Sequence, residues 1–427
     1  MFPSRLLLIR QHFPDLRLPD VAGETRAQLE TSDFAARLKP GARVAVGVGS
    51  RGIANIAEIV ESVVRYWREH GMQPFIVPAM GSHGAATPQG QADVLGHFGI
   101  TEAAMGCAIV SRLDVVSLGK TDDGVEVFMD AEAYAADAVM VVGRVKWHTN
   151  FVGGVESGLM KMMAIGLGKF AGAQLYHAHA QRTGLEHVIR TAGRQVLATG
   201  KMVGGLAIME DAHHHTAKLD AVPAGVMEQR EEQNLALVKT WMPKLPCDVD
   251  LLIVDEIGKN ISGTGMDAKV VNRGVRGEEN AWPGVPAVGR IFVRELSAQT
   301  HGNAVGIGMA DVVTDRLVSQ IDWAPTMVNA QTSGNPARIR QPVRLPTDRA
   351  CLDWILPTVG KAEPADVTVG WIRNTLELAR VAVSPNLRRL VEAQPQVGIE
   401  GEIEVPWDAA GNLISPFGPR LESIHAR

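Results

Sequence analysis

Residues 44–79 carry the pattern that most restricts the fold. Val44-Ala45-Val46-Gly47-Val48-Gly49 is an apolar run of strand length, broken by Ser50-Arg51-Gly52. Apolar residues then recur at 53, 56, 57, 60, 63, 64 and 67, the spacing of one helix face. Pro74-Phe75-Ile76-Val77 is a second strand run. Strand, helix and strand in that order make a β-α-β unit, which favours a parallel sheet with helices on its faces. At 427 residues the chain exceeds one ordinary core. The expected fold class is therefore α/β, as two α/β domains with mostly parallel sheets.

Further along, Thr87-Pro88 caps a helix to about Phe98, and residues 138–145 form a strand ending at Lys146-Trp147-His148. Residues 157–167 and 185–199 read as helices, 202–209 as a strand, 212–223 as a polar loop and 227–241 as a helix. Prolines at 243 and 246 punctuate the chain, and 249–257 opens a second α/β pattern. Residues 303–309 read as a strand, 311–321 as a helix and 330–347 as an extended loop. The expected domains are 1–245, with the reactive residues, and 246–427.

A net charge of −5 without a basic stripe gives no reason to expect nucleic-acid binding. The three cysteines, Cys107, Cys247 and Cys351, fit neither a disulfide framework nor a zinc knuckle, so a reducing, cytoplasmic setting is expected. Leu6–Ile9 is too short for a signal segment, and no run approaches membrane-helix length. Phosphate-loop, dinucleotide and nucleophile-elbow motifs are all absent.

The chemistry concentrates between Lys146 and His179. Ligands of open α/β sheets bind beyond the carboxyl ends of strands, and Arg51, His83, His148 and Lys259 all follow predicted strands. His83 lies between glycines and His148 precedes Gly153-Gly154; either imidazole can exchange a proton with a substrate hydroxyl near pH 7, or simply cap a loop. Lys161 stands among Leu159, Met160, Met162, Met163 and Ile165. It either snorkels to water or is desolvated and nucleophilic. His177 and His179 would share a face on a strand and diverge on a helix. Consecutive side chains in His213-His214-His215 cannot easily meet one ion. Arg51 and Lys259 are candidate anion contacts, and Glu156 with Ser157 reads as a helix cap.

Six segments in this order resemble the nickel-dependent lactate racemase family over roughly residues 40–320. They are Ser50-Arg51, GSHGAATPQGQ around His83, KWHTN with His148, GLMKM with Lys161, YHAH with His177, and GKN with Lys259. The resemblance implies a nickel-pincer nucleotide bound through Lys161, nickel coordinated by His177, and His83 and His148 as paired acid–base groups. It implies that Ser50, Arg51 and Lys259 contact cofactor or substrate anions, with the cofactor in an interdomain cleft, and that cofactor-biosynthesis enzymes are partners. The family pattern has an arginine after the first histidine and an acidic residue before the first arginine. Here Gly84 and Val48 occupy those positions, which fits a larger or differently charged 2-hydroxy acid than lactate.

The expected function is a cytoplasmic racemase or epimerase of a 2-hydroxy acid. A reversible hydride shift needs an acceptor that no side chain supplies, so a cofactor must carry it. The alternatives are a non-redox, metal-dependent hydro-lyase using the same histidines, and a small-anion binding protein on the same fold.

Overall fold

The computed structural model describes residues 2–49 and 52–418. The chain divides into two compact units, Pro14–Met242 and a second made of Met1–Phe13 with Pro243–Arg427. The expected 1–245 domain is thus corrected at its start. Strand β1 (Arg5–Gln11) pairs antiparallel with two strands near the other end of the chain, with Leu8 opposite both Ala382 and Gly401. The Leu6–Ile9 run is buried in a strand paired on both sides, next to the edge strand of its sheet.

In the unit Pro14–Met242, β2 (Arg43–Val48) and β3 (Gln73–Pro78) form the expected β-α-β unit around the helix Ile56–Glu69. A separate hairpin joins β4 (Val115–Lys120) to β5 (Glu126–Asp130). With β6 (Ala138–Arg144), β7 (Met202–Glu210) and β8 (Thr216–Pro223), the main sheet runs in the order β3-β2-β6-β7-β8. All neighbours are parallel except β7 and β8. The expected polar loop at 212–223 is therefore largely a strand: β8 hydrogen-bonds to β7 at the sheet edge, where polar residues remain wetted.

Both faces of the sheet are covered, which is why β2 reads as a continuous apolar run. Val44, Val46 and Val48 pack with Ile59, Val60, Val63, Val64 and Trp67 of the crossover helix. Ala45 and Val141 face the other way, against Leu159, Met160, Met163, Tyr176 and Val188. The first crossover places β3 on one side of β2, and the chain then returns to place β6 on the other. The carboxyl ends of β2 and β6 therefore flank a topological switch point, where sheets of this type open a crevice.

The second unit holds an eight-stranded sheet. Beyond β1 it contains β9 (Val249–Ile257), β10 (Val288–Leu296), β11 (Val312–Thr314), β12 (Val343–Leu345), β13 (Val369–Ile372), β14 (Arg380–Val383) and β15 (Val397–Glu404). The order is β12-β11-β10-β9-β13-β14-β1-β15, parallel from β12 to β13 and antiparallel beyond. The strand expected at 303–309 is a 3₁₀ turn, Ile307–Met309, and the strand itself is Val288–Leu296. Residues 311–321 contribute β11 and only a short helix, Asp315–Ser319. The 330–347 stretch is not an extended loop: it ends a helix, makes a 3₁₀ turn at Pro336–Ile339 and supplies β12.

Candidate functional site

The loops after β3, β2 and β6 leave the sheet at one edge, with β2 in the middle. Ala79 N–H still bonds to Val48 O at 2.8 Å, and Val145 N–H to Ile208 O at 2.8 Å. His83 follows β3 by five residues and His148 follows β6 by four. Their parent strands stand two spacings apart, about 10 Å. Both rings are half-buried. Ser50 and Arg51 lie outside the described residues.

The His83 loop is tightly built. Gly84, Ala85 and Ala86 have φ of +63°, +54° and +53°. Two consecutive alanines in the left-handed region are costly, and such strain persists only where surrounding contacts enforce it. Thr87 Oγ1 donates to Gly84 O and accepts from Gly90 N–H, each at 3.0 Å. Fully buried Gln91 donates to Met80 O and Gly81 O at 3.2 and 3.3 Å.

The His148 loop hangs on Glu156. This carboxylate is fully buried, accepts the backbone N–H groups of His148 and Gly153, and pairs with Lys239 at 2.6 Å. Lys239 also donates to Gly153 O at 3.0 Å. Glu156 is thus a loop clamp rather than the expected helix cap. Asn150 N–H donates to His148 Nδ1 at 3.1 Å. A ring nitrogen that accepts carries no proton, so the neutral ring of His148 holds its hydrogen on Nε2 and offers it as a donor.

Lys161 ends a single helical turn, Leu159–Lys161, that runs into a π-turn, Met162–Gly166, in place of the regular helix expected there. Its neighbour Met162 rests on the switch point. A Cβ on Gly49 would lie 3.2 Å from Met162 Sδ, and one on Gly143 would lie 2.7 Å from Met162 Cγ. π-Bulges recur at functional sites because the extra residue redirects a side chain. The half-buried Lys161 is therefore carried beside the ends of β2 and β6. From the helix Met227–Trp241, fully buried Glu231 accepts Met160 N–H at 2.7 Å and caps this turn. Burial pushes the Glu231 pKa up to about 7, against the opposing pull of that N–H.

His177 and His179 lie on the helix Lys169–Thr183 and diverge, as a helix requires. Ala173, one turn before His177 on the same face, packs against Gly81: a Cβ there would stand 2.8 Å away. His179 is engaged elsewhere. Its Nε2 meets Asp123 Oδ2 at 2.9 Å and its Nδ1 receives Arg182 Nη2 at 3.0 Å. With both ring nitrogens occupied, His179 has none left for a metal, and the half-buried His177 is the candidate ligand.

Residues 27–186 match the family model described as the lactate racemase N-terminal domain. Over this segment the chain is similar to the lactate racemase family. The matched segment contains His83, His148, Lys161 and His177. No curated protein matches the chain. The solved lactate racemase apoprotein from Thermoanaerobacterium thermosaccharolyticum is 13% identical, with a TM-score of 0.52 over 87% of this chain and 98% of that one. At that identity the likeness is one of fold.

One departure from the family pattern has a steric reason. Gly84 stands where the family has an arginine, and a Cβ on it would lie 2.4 Å from the Gly90 carbonyl carbon. This loop therefore admits no side chain at 84. Three supporting residues were invisible in the sequence. Besides Gln91 and Glu231, Lys169 is fully buried, pairs with Asp130 at 2.8 Å and donates to Pro78 O at 2.6 Å. Burial lowers its pKa while Asp130 opposes the shift. It ties the start of the His177 helix to the end of β3. Only its distant partner distinguishes it from a solvated lysine.

Lys259 belongs to the other unit, two residues past β9, where its Nζ donates to Gly263 O at 3.3 Å. The histidine triplet is held as a turn by Asp211, which accepts His213 and His215 N–H at 2.9 and 3.0 Å. Arg17 lies 2.7 Å from His215 Nε2, while Asp15 and Asp211 face His215 Nδ1 at 3.5 and 3.7 Å.

Proposed function

We propose that this protein is a racemase or epimerase of a 2-hydroxy acid. The observation that supports the reading best is that the His83 and His148 loops leave one sheet edge on either side of β2, with the Lys161 turn packed over the same switch point. Two imidazoles flanking one crevice suit a reaction in which a hydroxyl loses its proton on one face of a carbon and regains it on the other. His83 is proposed to take the hydroxyl proton and His148 to give one as the imidazolium, with the roles exchanged in the opposite direction. In either role His148 carries a proton on Nδ1 and must release the Asn150 N–H.

The donor set fits a nickel-pincer nucleotide: a half-buried amine on a redirected turn, and an imidazole whose close neighbour His179 is already saturated. Lys161 would hold the group and His177 its nickel. When bound, the group supplies the acceptor for the Cα hydrogen. Ser50, Arg51 and Lys259 are proposed as anion contacts. Because the His83 loop excludes a side chain at 84, the substrate is proposed to be a 2-hydroxy acid larger than lactate, or one with its charge placed differently.

Protein isolated from its native host tests this. Intact-mass analysis should show an adduct that maps to Lys161, and His83→Ala and His148→Ala should abolish interconversion of 2-hydroxy acid isomers while retaining the adduct. An active enzyme with an unmodified Lys161 would instead favour a hydro-lyase or other non-redox reaction.

A further inference from the structure

Arg338 is a buried guanidinium with no counter-charge. It lies in the turn Pro336–Ile339 of the second unit and is 7% exposed. Its Nε is enclosed and has no hydrogen-bond partner. Among the described residues, no carboxylate lies within ion-pairing distance and none perturbs it; burial alone lowers its pKa, to about 10, so it stays charged at neutral pH. Every other deeply buried arginine described has an oxygen to meet. Arg273 pairs with Asp311, Arg294 with Asp255 and Asp348, and Arg373 donates to the carbonyls of Phe417 and Gly418. Arginine cannot escape burial by shedding its proton, and an unpaired cation in the interior is strongly unfavourable.

The backbone that carries Arg338 is held rigid by close approaches. Gly306 N–H donates to Arg338 O at 2.9 Å, and a Cβ on Gly308 would stand 2.0 Å from Ala337 O. Gly306 in turn lies against the loop that follows β9, where its Cβ would stand 1.8 Å from Thr264 O. That loop closes through Gly258 N–H to Gly265 O at 2.8 Å and carries Lys259. A second cation is thus linked to the turn through backbone alone. Nε is the only guanidinium atom fully sealed off, so the two Nη groups are those that still reach solvent. A fixed stem with an open, unpaired fork is preorganised for two parallel hydrogen bonds to one planar or tetrahedral oxyanion.

We propose that Arg338 is the anchor of an oxyanion-binding site in the second unit, accepting a carboxylate or phosphate group of a small ligand. The proposal does not rest on the racemase reading: His83, His148, Lys161 and His177 lie in the other unit, and only Lys259, proposed there as an anion contact, shares the unit of Arg338.

The test is thermal unfolding of the full chain, titrated with sodium phosphate or sodium acetate against sodium chloride at matched ionic strength. Wild-type protein should show a saturable rise in melting temperature with one or both oxyanions and not with chloride. The oxyanion that acts at lower concentration identifies the group. Arg338→Met should weaken the response about tenfold or more, and should raise the melting temperature measured without oxyanion because the lone charge is gone. Undiminished response in Arg338→Met, or a wild-type response no greater than to chloride, would overturn the proposal. Should Arg338→Met not fold, phenylglyoxal modification of wild-type protein decides. Phosphate or acetate should protect Arg338, read by peptide mass. Equal protection by chloride, or no modification of Arg338, would refute an open fork.

Discussion

Glu231 should make the stability of this protein fall as pH rises through neutrality. Its carboxyl is fully buried, accepts a hydrogen bond from Met160 N–H, and has its pKa raised by burial from 4.5 to about 7. Its Oε1 has no hydrogen-bond partner among the described residues, as suits the oxygen that carries the proton. Below pH 4.5 both the native and unfolded chains hold that proton, and the contribution is complete. Between 4.5 and 7 the unfolded chain has released it and the native chain has not, so each pH unit removes about 1.4 kcal/mol. Above the native pKa the loss levels off at about 3 kcal/mol. Glu231→Gln keeps the shape and a carbonyl acceptor for Met160 but cannot ionise. Urea unfolding followed by circular dichroism at pH 5 and pH 8 should therefore show the variant gaining on wild type by about 2.5 kcal/mol between the two. Parallel pH dependences in the two proteins would refute the reasoning, because Glu231 would then titrate alike in native and unfolded chains.

Lys169→Met leaves Asp130 as a lone buried carboxylate and should cost about 3–5 kcal/mol in urea unfolding, most of it recovered by adding Asp130→Asn; equal stability of the single and double variants would exclude the pair as the cause. Gly84→Arg meets both a left-handed φ and the Gly90 backbone, and should cost about 2 kcal/mol or more, seen as a lowered melting temperature; an unchanged value would show that the loop is not held as described. In protein carrying the cofactor, His177→Ala should lose nickel by elemental analysis while His179→Ala keeps it; the reverse result would reassign the ligand.

The parts legible in the sequence were those governed by local periodicity. The run at 44–49 and the helical spacing after it determined a β-α-β unit, and strand-end positions made His83 and His148 candidates before any coordinates. Local pattern could not say which strands lie side by side. Leu6–Ile9 joins strands near the far end of the chain because its apolar residues are buried only there. Thr216–Pro223 is a strand because β7 supplies its hydrogen bonds. The same division holds at the site. The chain alone leaves the choice between His177 and His179 open; the proposal of His177 is supported by Asp123 and Arg182, which take both nitrogens of His179. Glu231, Lys169 and Arg338 look like ordinary surface charges when read along the chain, and Glu156 like a helix cap. Their character depends on burial and on what faces them, and a charge removed from water takes its energy from groups that can be hundreds of residues away.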